Sequence, residues 1–114
     1  MIETEVLNAL TTALAPVPVS MEVPSPMPGT FVVLEKIGTS CTDHITASTF
    51  AVQSWAPTVL DAARLNEQAK AAMDALPARR GIGAARLETD YNFTDTATHR
   101  YRYQAVYRVV HGAI

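Results

Sequence analysis

Residues 100–110, RYRYQAVYRVV, contain the clearest β-strand pattern in the sequence. Alternate positions fall on two faces, with Tyr101, Tyr103, Ala105, Tyr107 and Val109 on one and Arg100, Arg102, Gln104 and Arg108 on the other. Such alternation is typical of a strand that has one face in the core and one in solvent. We therefore expect the tyrosines to point between a sheet and helices. The arginines are expected to point outward and to contribute little to stability.

Four further segments precede this strand in the first half of the chain. Residues 2–14 have apolar side chains at steps of three and four, which predicts an amphipathic helix that ends before Pro16 and Pro18. The next three segments are predicted strands: a short edge strand at 17–23, a strand at 30–37 that Gly38 closes, and a strand at 45–55. Small or polar residues occupy both faces of the segment at 45–55, which indicates that neither face lies simply in solvent.

The second half of the chain begins with a helix. Thr58 is a suitable N-cap, Asp61 lies in the first turn, and Pro77 stops the helix after Leu76. Its predicted buried face consists of Val59, Ala62, Leu65, Ala69, Met73 and Leu76. A short strand at 84–89 follows. The order α-β-β-β-α-β-β predicts one α+β domain over residues 1–114, with a largely antiparallel sheet of four to five strands and both helices on one face.

Two polar, turn-rich stretches are predicted to be mobile loops that become ordered on contact with neighbouring proteins. They are residues 39–45 and 89–99, and their candidate interface residues are Cys41, Asp43, His44, Tyr91, Asn92 and Phe93. Aromatic side chains in an exposed loop indicate a contact site, because they gain nothing from staying in water. The arginines of the last strand, Arg100, Arg102 and Arg108, form a second candidate surface.

Composition limits the function classes. The 114 residues have a net charge of −2 and are 48% hydrophobic, which suits one ordinary globular domain. A lone cysteine, the lack of a signal-peptide pattern and the lack of an apolar run of about 20 residues favour a cytoplasm and no membrane span. Residues 1–57 are acidic, since Lys36 is their only Lys or Arg, whereas residues 58–114 are net basic. This asymmetry suits head-to-tail contacts between copies.

No segment carries a convincing catalytic or ligand-binding motif. Cys41, Asp43 and His44 are catalytic residue types, but neighbours on a loop rarely reach hydrogen-bond geometry. The histidines lack a recognised metal-ligand spacing and are expected to be ordinary surface residues. The GIGAA segment at 81–85 precedes a strand instead of opening a helix, so it is interpreted as a turn. The separation of arginines and tyrosines onto opposite faces also argues against a nucleic-acid surface. We expect no cofactor and no enzymatic activity.

Several stretches resemble a known family. They are FVVLEK at 31–36, AVQSWAPT at 51–58 leading into an Ala-rich helix, and YRYQAVY at 101–107, together with the Pro-rich EVPSPMPGTFVVLE at 22–35 and YNF at 91–93. In these stretches the chain resembles the tail-terminator (tail-completion) proteins of long-tailed bacteriophages and prophages. The similarity spans nearly the whole chain, although its motifs are structural.

The resemblance implies an α+β subunit of a hexameric ring that caps the tail tube and joins it to the head connector. Its expected partners are copies of itself, the tail-tube protein and head-tail connector proteins, and its expected location is the neck end of the virion tail. Two alternatives remain. One is another connector or head-completion component at the same joint. The other is a small ligand-binding or hydrolytic α+β domain that uses Cys41, Asp43 and His44.

Overall fold

The computed structural model describes residues 1–112, and its elements follow the predicted order α-β-β-β-α-β-β. They are α1 (Ile2–Leu14), β1 (Val19–Ser20), β2 (Phe31–Thr42), β3 (Ile45–Ala56), α2 (Val59–Asp74), β4 (Ile82–Asn92) and β5 (Tyr101–His111). The strands form one five-stranded sheet in the order β1-β2-β3-β5-β4. Every pairing is antiparallel except that of β1 with β2. The predicted α+β class is confirmed.

Both helices pack on the same face of the sheet. The core there joins side chains from both helices, the turn after α2, the three central strands and the start of β4: Ile2, Val6, Leu10, Leu14, Val32, Leu34, Phe50, Val52, Leu65, Ala69, Met73, Leu76, Ile82, Ala105, Tyr107 and Val109. Ala62 and Ala69 on α2 are fully buried, because a side chain of one carbon lets the helix approach the sheet closely. Two ion pairs tie α1 to its surroundings, Lys36 to Glu3 at 3.0 Å and Arg79 to Glu5 at 3.4 Å.

Helix α2 begins as predicted but ends earlier. The Thr58 side chain accepts a hydrogen bond from the Asp61 amide at 3.1 Å, which confirms the N-cap. The α-helix stops at Asp74, and Leu76–Ala78 forms a 3-10 turn instead of a last α-helical turn, because Pro77 has no amide hydrogen to donate. Val59, predicted to be buried, is 44% exposed, since it lies at the very start of the helix.

The prediction of a loop at residues 39–44 is wrong. β2 continues past Gly38 to Thr42, and Asp43 and His44 alone form the turn to β3, with φ angles of 52° and 67°. Positive φ at both central residues is the geometry that matches the twist of a two-residue hairpin. Gly38 does not end the strand. The register with β3 shifts by one residue at a bulge at Ile37, and the pairing continues beyond it.

Two other strand boundaries also differ from the prediction. β1 is only two residues long, although it does lie at the sheet edge as expected. β4 extends from Ile82 to Asn92, beyond the predicted 84–89, so residues 89–92 are not part of a loop. Its pairing with β5 stabilises polar residues in a strand that local sequence alone assigns to turns.

On the predicted inward face of β5, Ala105, Tyr107 and Val109 are buried as expected, and Tyr107 is the one tyrosine among them. This side chain is buried, and its hydroxyl donates to Asp74 Oδ1 at 2.8 Å and contacts the Lys70 carbonyl oxygen at 3.2 Å. Burial, together with the Asp74 carboxylate, raises the pKa of Tyr107 above its ordinary value. Tyr101 and Tyr103 are only half-buried, because they lie near the first turn of α2, beyond the part of the sheet that the helices cover.

The hydroxyl of Tyr107 gives a test of this packing. Tyr107→Phe is expected to lower the free energy of unfolding by about 1–2 kcal/mol, because it removes a hydrogen bond to a carboxylate and leaves the ring in place. Tyr103→Phe is the matched control and should change it by less than about 0.5 kcal/mol. Urea unfolding of both variants measures the difference. Equal losses in the two variants would contradict the assignment of Tyr107 as the core tyrosine.

Candidate functional site: the open face of the sheet

The face of the sheet opposite the helices carries a second, smaller apolar cluster. Phe31, Val33 and Trp55 form it, and each is less than one tenth exposed. Phe31 and Trp55 are register partners on β2 and β3, and their rings stack with centroids 5.2 Å apart and planes inclined by 15°. This stack lies outside the main core, so it organises a surface that the helices leave uncovered.

Arg102 extends the stack across the sheet. Its guanidinium carbon lies 4.8 Å from the centroid of the Trp55 ring and 4.2 Å from that of Phe93, and its Nε donates to the Phe93 carbonyl oxygen at 2.6 Å. Contacts of this kind attract a cation to the face of an aromatic ring. The side chain does lie on the predicted outward face. The expectation that it contributes little to stability needs correction, because it is packed between two rings and is only partly exposed.

A chain of hydrogen bonds runs beside these rings. Trp55 Nε1 donates to Gln53 Oε1 at 3.3 Å, Gln53 Nε2 donates to Gln104 Oε1 at 3.0 Å, and Gln104 Nε2 donates to the Tyr91 hydroxyl oxygen. Tyr91 in turn meets Phe93 edge to face, with centroids 5.7 Å apart. These uncharged groups fix one another's orientation across three strands of the sheet, β3, β5 and β4. We call the whole set the open-face strip: Phe31, Gln53, Trp55, Tyr91, Phe93, Arg102 and Gln104.

A cavity of about 300 Å³ lies at one end of the open-face strip. Its floor includes the stacked rings of Phe31 and Trp55, and its walls include Pro28, Pro57 and Arg100. Beyond it, the loop between β1 and β2 exposes Met21, Val23 and Met27. The cavity is wide enough for one side chain of another protein. Its lining is mixed, because Thr98, His99 and Arg100 stand beside the rings and prolines.

The candidate interface residues separate into two groups. Tyr91 and Phe93, each 39% exposed, belong to the open-face strip, and Asn92 ends β4, where its Oδ1 accepts from the Thr94 amide at 3.0 Å. Cys41, Asp43 and His44 lie instead at the tip of the β2–β3 hairpin. Arg100 and Arg108 are exposed on the same side of the sheet as Arg102.

The hairpin tip does not assemble a catalytic arrangement. Cys41 Sγ contacts the Thr46 hydroxyl at 3.8 Å, and within residues 1–112 no hydrogen bond joins the thiol to His44 or Asp43. Nor does the described part of the chain contain a group of three or more metal-ligating side chains. One prediction about histidine is wrong: His111 Nε2 lies 2.8 Å from the hydroxyl of the buried Ser48, so it is partly structural and not an ordinary surface residue.

The strip residues that sequence reasoning missed are Phe31, Gln53, Trp55 and Gln104. Gln104 was assigned to the outward face, but its partner across the strands depends on the register of β3, β4 and β5. The sequence of β3 did contain a pattern that indicates a covered open face. It has small and polar residues on both faces, which indicated that neither face is simply in solvent. Trp and Gln at alternate positions of such a strand are the pattern that identifies the strip.

The open-face strip has the composition of a protein contact surface. Trp, Tyr and Arg are the residue types that dominate binding energy at interfaces, and stacking has already restricted their conformations here. A preordered surface loses less side-chain entropy when a partner binds. No helix within residues 1–112 is both long and apolar enough to cross a membrane.

Comparisons with known proteins do not assign this surface a function. No protein-family model matches the chain, and no curated protein matches it. Function is therefore inferred from the residues of the open face, from the two edges of the sheet and from the resemblance of the sequence stretches described above.

The packing of Arg102 can be tested by substitution. Arg102→Ala is expected to lower the free energy of unfolding by about 1–2 kcal/mol, because it removes the contacts with Trp55 and Phe93 and the hydrogen bond from Nε. Arg108→Ala, on the same face and exposed, should change it by less than about 0.5 kcal/mol. Urea titrations followed by Trp55 fluorescence report both quantities. Indistinguishable unfolding midpoints for the two variants would show that the guanidinium does not organise the strip.

Proposed function

We propose that this chain is a structural protein of a bacteriophage tail, a tail terminator. In this proposal copies of the chain form a closed ring, of six copies by resemblance. The ring caps the tail tube and joins it to the head connector. The protein works by contact alone, without catalytic turnover and without a cofactor. Its place is the neck end of the virion tail, which it reaches from the host cytoplasm during assembly.

The open-face strip is the observation that carries the proposal. A sheet with helices on one face only leaves the other face to water, and such faces normally carry scattered polar side chains. Here that face carries stacked rings, a sandwiched arginine and a continuous chain of amide hydrogen bonds. A broad, flat and preordered surface of this kind fits a protein partner better than a small substrate, which usually requires a deep and enclosed pocket.

The shape of the molecule also supports a ring component. A ring closes only through heterologous contacts, in which two different surfaces of each copy meet. The sheet has two unlike edges, β1 with β2 on one side and β4 on the other. The molecule is elongated, with principal extents of 44 × 24 × 23 Å. One long direction and two distinct flanks are what a ring subunit needs in order to contact neighbours at its sides and other proteins at its ends.

Imaging of virus particles tests the proposal. A phage or prophage whose copy of this gene is deleted should produce tails that lack a cap, exceed their normal length or fail to join heads. Complementation with the unchanged gene should restore capped tails of one length. Capped tails of normal length in the deletion mutant would eliminate the terminator assignment.

Point variants link the same assay to the open-face strip. Tyr91→Ala removes an exposed ring from the strip and is expected to reduce the fraction of tails joined to heads. Leu60→Ala removes an exposed apolar side chain, 56% exposed, from helix α2 on the other side of the sheet and is expected to leave that fraction unchanged. Equal effects of the two variants would show that the open face has no special role.

A further inference from the structure

The outer edge of β2 is a long strand edge that has almost no partner. β1 pairs only with Val32 and Val33, while β2 itself continues to Thr42. Within residues 1–112 no other strand lies on that side, so residues 34–42 present an open edge. An uncovered edge of this length is a template for pairing with another strand.

Hydrogen-bond geometry shows which backbone groups of this edge point outward. The Val32 amide donates to the Pro18 carbonyl oxygen at 2.9 Å, so at Val32 the backbone groups point away from β3. Alternate residues of an antiparallel strand point the same way, which adds Leu34 and Lys36. The bulge at Ile37 then shifts the alternation by one residue. From there to the turn the outward residues are Thr39 and Cys41.

The two-residue turn independently identifies the same residues of β2 as pointing away from β3. Thr42 and Ile45 flank Asp43 and His44, and residues in that position exchange both of their hydrogen bonds. Counting back from Thr42, Ser40 also bonds to β3, whereas Cys41 and Thr39 face outward. Both routes therefore agree on the outward amides and carbonyls.

The usual protection of an edge strand is missing over its last part. Natural proteins block open edges with charged side chains, prolines or repeated bulges. Residues 37–42, IGTSCT, contain neither a charge nor a proline. β4, the opposite edge of the sheet, is different, since it carries Arg86, Glu88 and Asp90 and has two register shifts. The β2 edge is thus open to pairing with another strand. The β4 edge can pair only with a strand whose charges and register match its own.

Charge identifies the partner that fits the β2 edge. Of the acids around β2, Glu22, Glu35 and Asp43 take part in none of the ion pairs found among the described residues. Around the β4 edge, Arg80, Arg86 and Arg108 have no ion pair within residues 1–112, and neither does the acid Glu88, so the unpaired charge there is net positive. Two β2 edges facing each other across a two-fold axis bring acids together. A β2 edge facing a β4 edge brings opposite charges together, and this arrangement can repeat from copy to copy.

We infer that residues 34–42 of β2 receive the β4 strand of a second copy of this chain as an additional antiparallel strand. The inference rests on the proposed function in one respect, that copies assemble head to tail. Strand direction is consistent with it: β2 and β5 run one way and β3 and β4 the other, so a repeated sheet places β4 antiparallel to the β2 of the next copy. The sheets of all copies then form one continuous structure.

Strand register indicates which parts of the two edges meet. Cys41 pairs with Thr46, Thr46 with His111, and His111 with Ile82, so Cys41 lies level with the start of β4. If neighbouring copies continue the sheet near this level, Cys41 lies opposite the first residues of β4 in the next copy. Ala85 is one of these residues and is only partly buried. Through Val109 and Ser48 it lies level with Thr39, two residues from Cys41 and on the same face of the sheet.

Cross-linking through the natural cysteine tests this contact, because Cys41 is the chain's single cysteine and is exposed. Purified full-length Ala85→Cys protein is treated at high concentration with a short bis-maleimide. It should give a ladder of dimers, trimers and larger species up to the size of the ring. The double variant C41S/A85C should lose the ladder. Thr12→Cys, at an exposed site on α1, is the control and should not give one.

Two outcomes would overturn the inference. One is a covalent dimer of the unchanged protein through Cys41 alone, which shows a two-fold β2 contact. The other is an assembly of ring mass that gives no Ala85→Cys ladder, which leaves the proposed ring standing but places its interface elsewhere. Conversely, a ladder from the purified protein, combined with normal capped tails in the deletion mutant, supports the edge contact and rejects the proposed function.

A proline substitution provides a second measurement. The Thr39 amide points away from β3, so Thr39→Pro removes an outward donor without removing a β2–β3 hydrogen bond. Its association constant is expected to fall at least tenfold in sedimentation experiments, while circular dichroism and the unfolding midpoint stay near those of Thr39→Val. Unchanged association of a folded Thr39→Pro protein would also overturn the inference.

Discussion

The fold depends on the pairing of β3 with β5 at the centre of the sheet. Eleven register pairs join them, from Thr46 with His111 to Ala56 with Tyr101. β3 is the strand whose two faces are both covered: Phe50 and Val52 meet the helices, while Ala51 and Trp55 lie beneath the side chains of the open face. One register therefore sets the core and the open-face strip together. A slip of one residue would exchange the two faces and disrupt both.

Local sequence patterns predicted much of this arrangement. The apolar spacing of α1 and α2, the cap at Thr58 and the alternation in β5 depend on neighbours in the chain. These predictions are confirmed except at Val59, which is exposed, and at Tyr101 and Tyr103, which are only half-buried. The predicted boundaries of β2 and β4 were wrong for one shared reason. Their outer halves are polar stretches, such as GTSCT and TDYN, that become strands only because a long partner strand is already present beside them. Pairing between distant segments overrides local preference.

The sequence predicted Tyr91, Phe93 and Arg102 as candidate surface residues. It did not predict the contacts that join them into the open-face strip, for the same physical reason. Arg102 and Gln104 were assigned to the outward face, and outward residues of a half-buried strand are ordinarily solvated. Whether they meet water or aromatic rings depends on their partners across the strands. Here those partners are Trp55 and Gln53. The register places a cation beside a ring and an amide beside an amide, so neighbouring side chains on three strands satisfy one another. Recognition surfaces of this kind are encoded in strand pairing rather than in a motif.

The two faces of the sheet have different roles, which explains how a small domain can leave one face uncovered by helices. The helix face supplies the main apolar core, including fully buried side chains on α1, α2, β2, β3 and β5. The open face then needs only enough contacts to stay ordered, and its stacked rings and amide chain provide them without a covering layer. An assembly surface must be both ordered and exposed. It must hold its shape before a partner binds, and it must remain accessible to that partner.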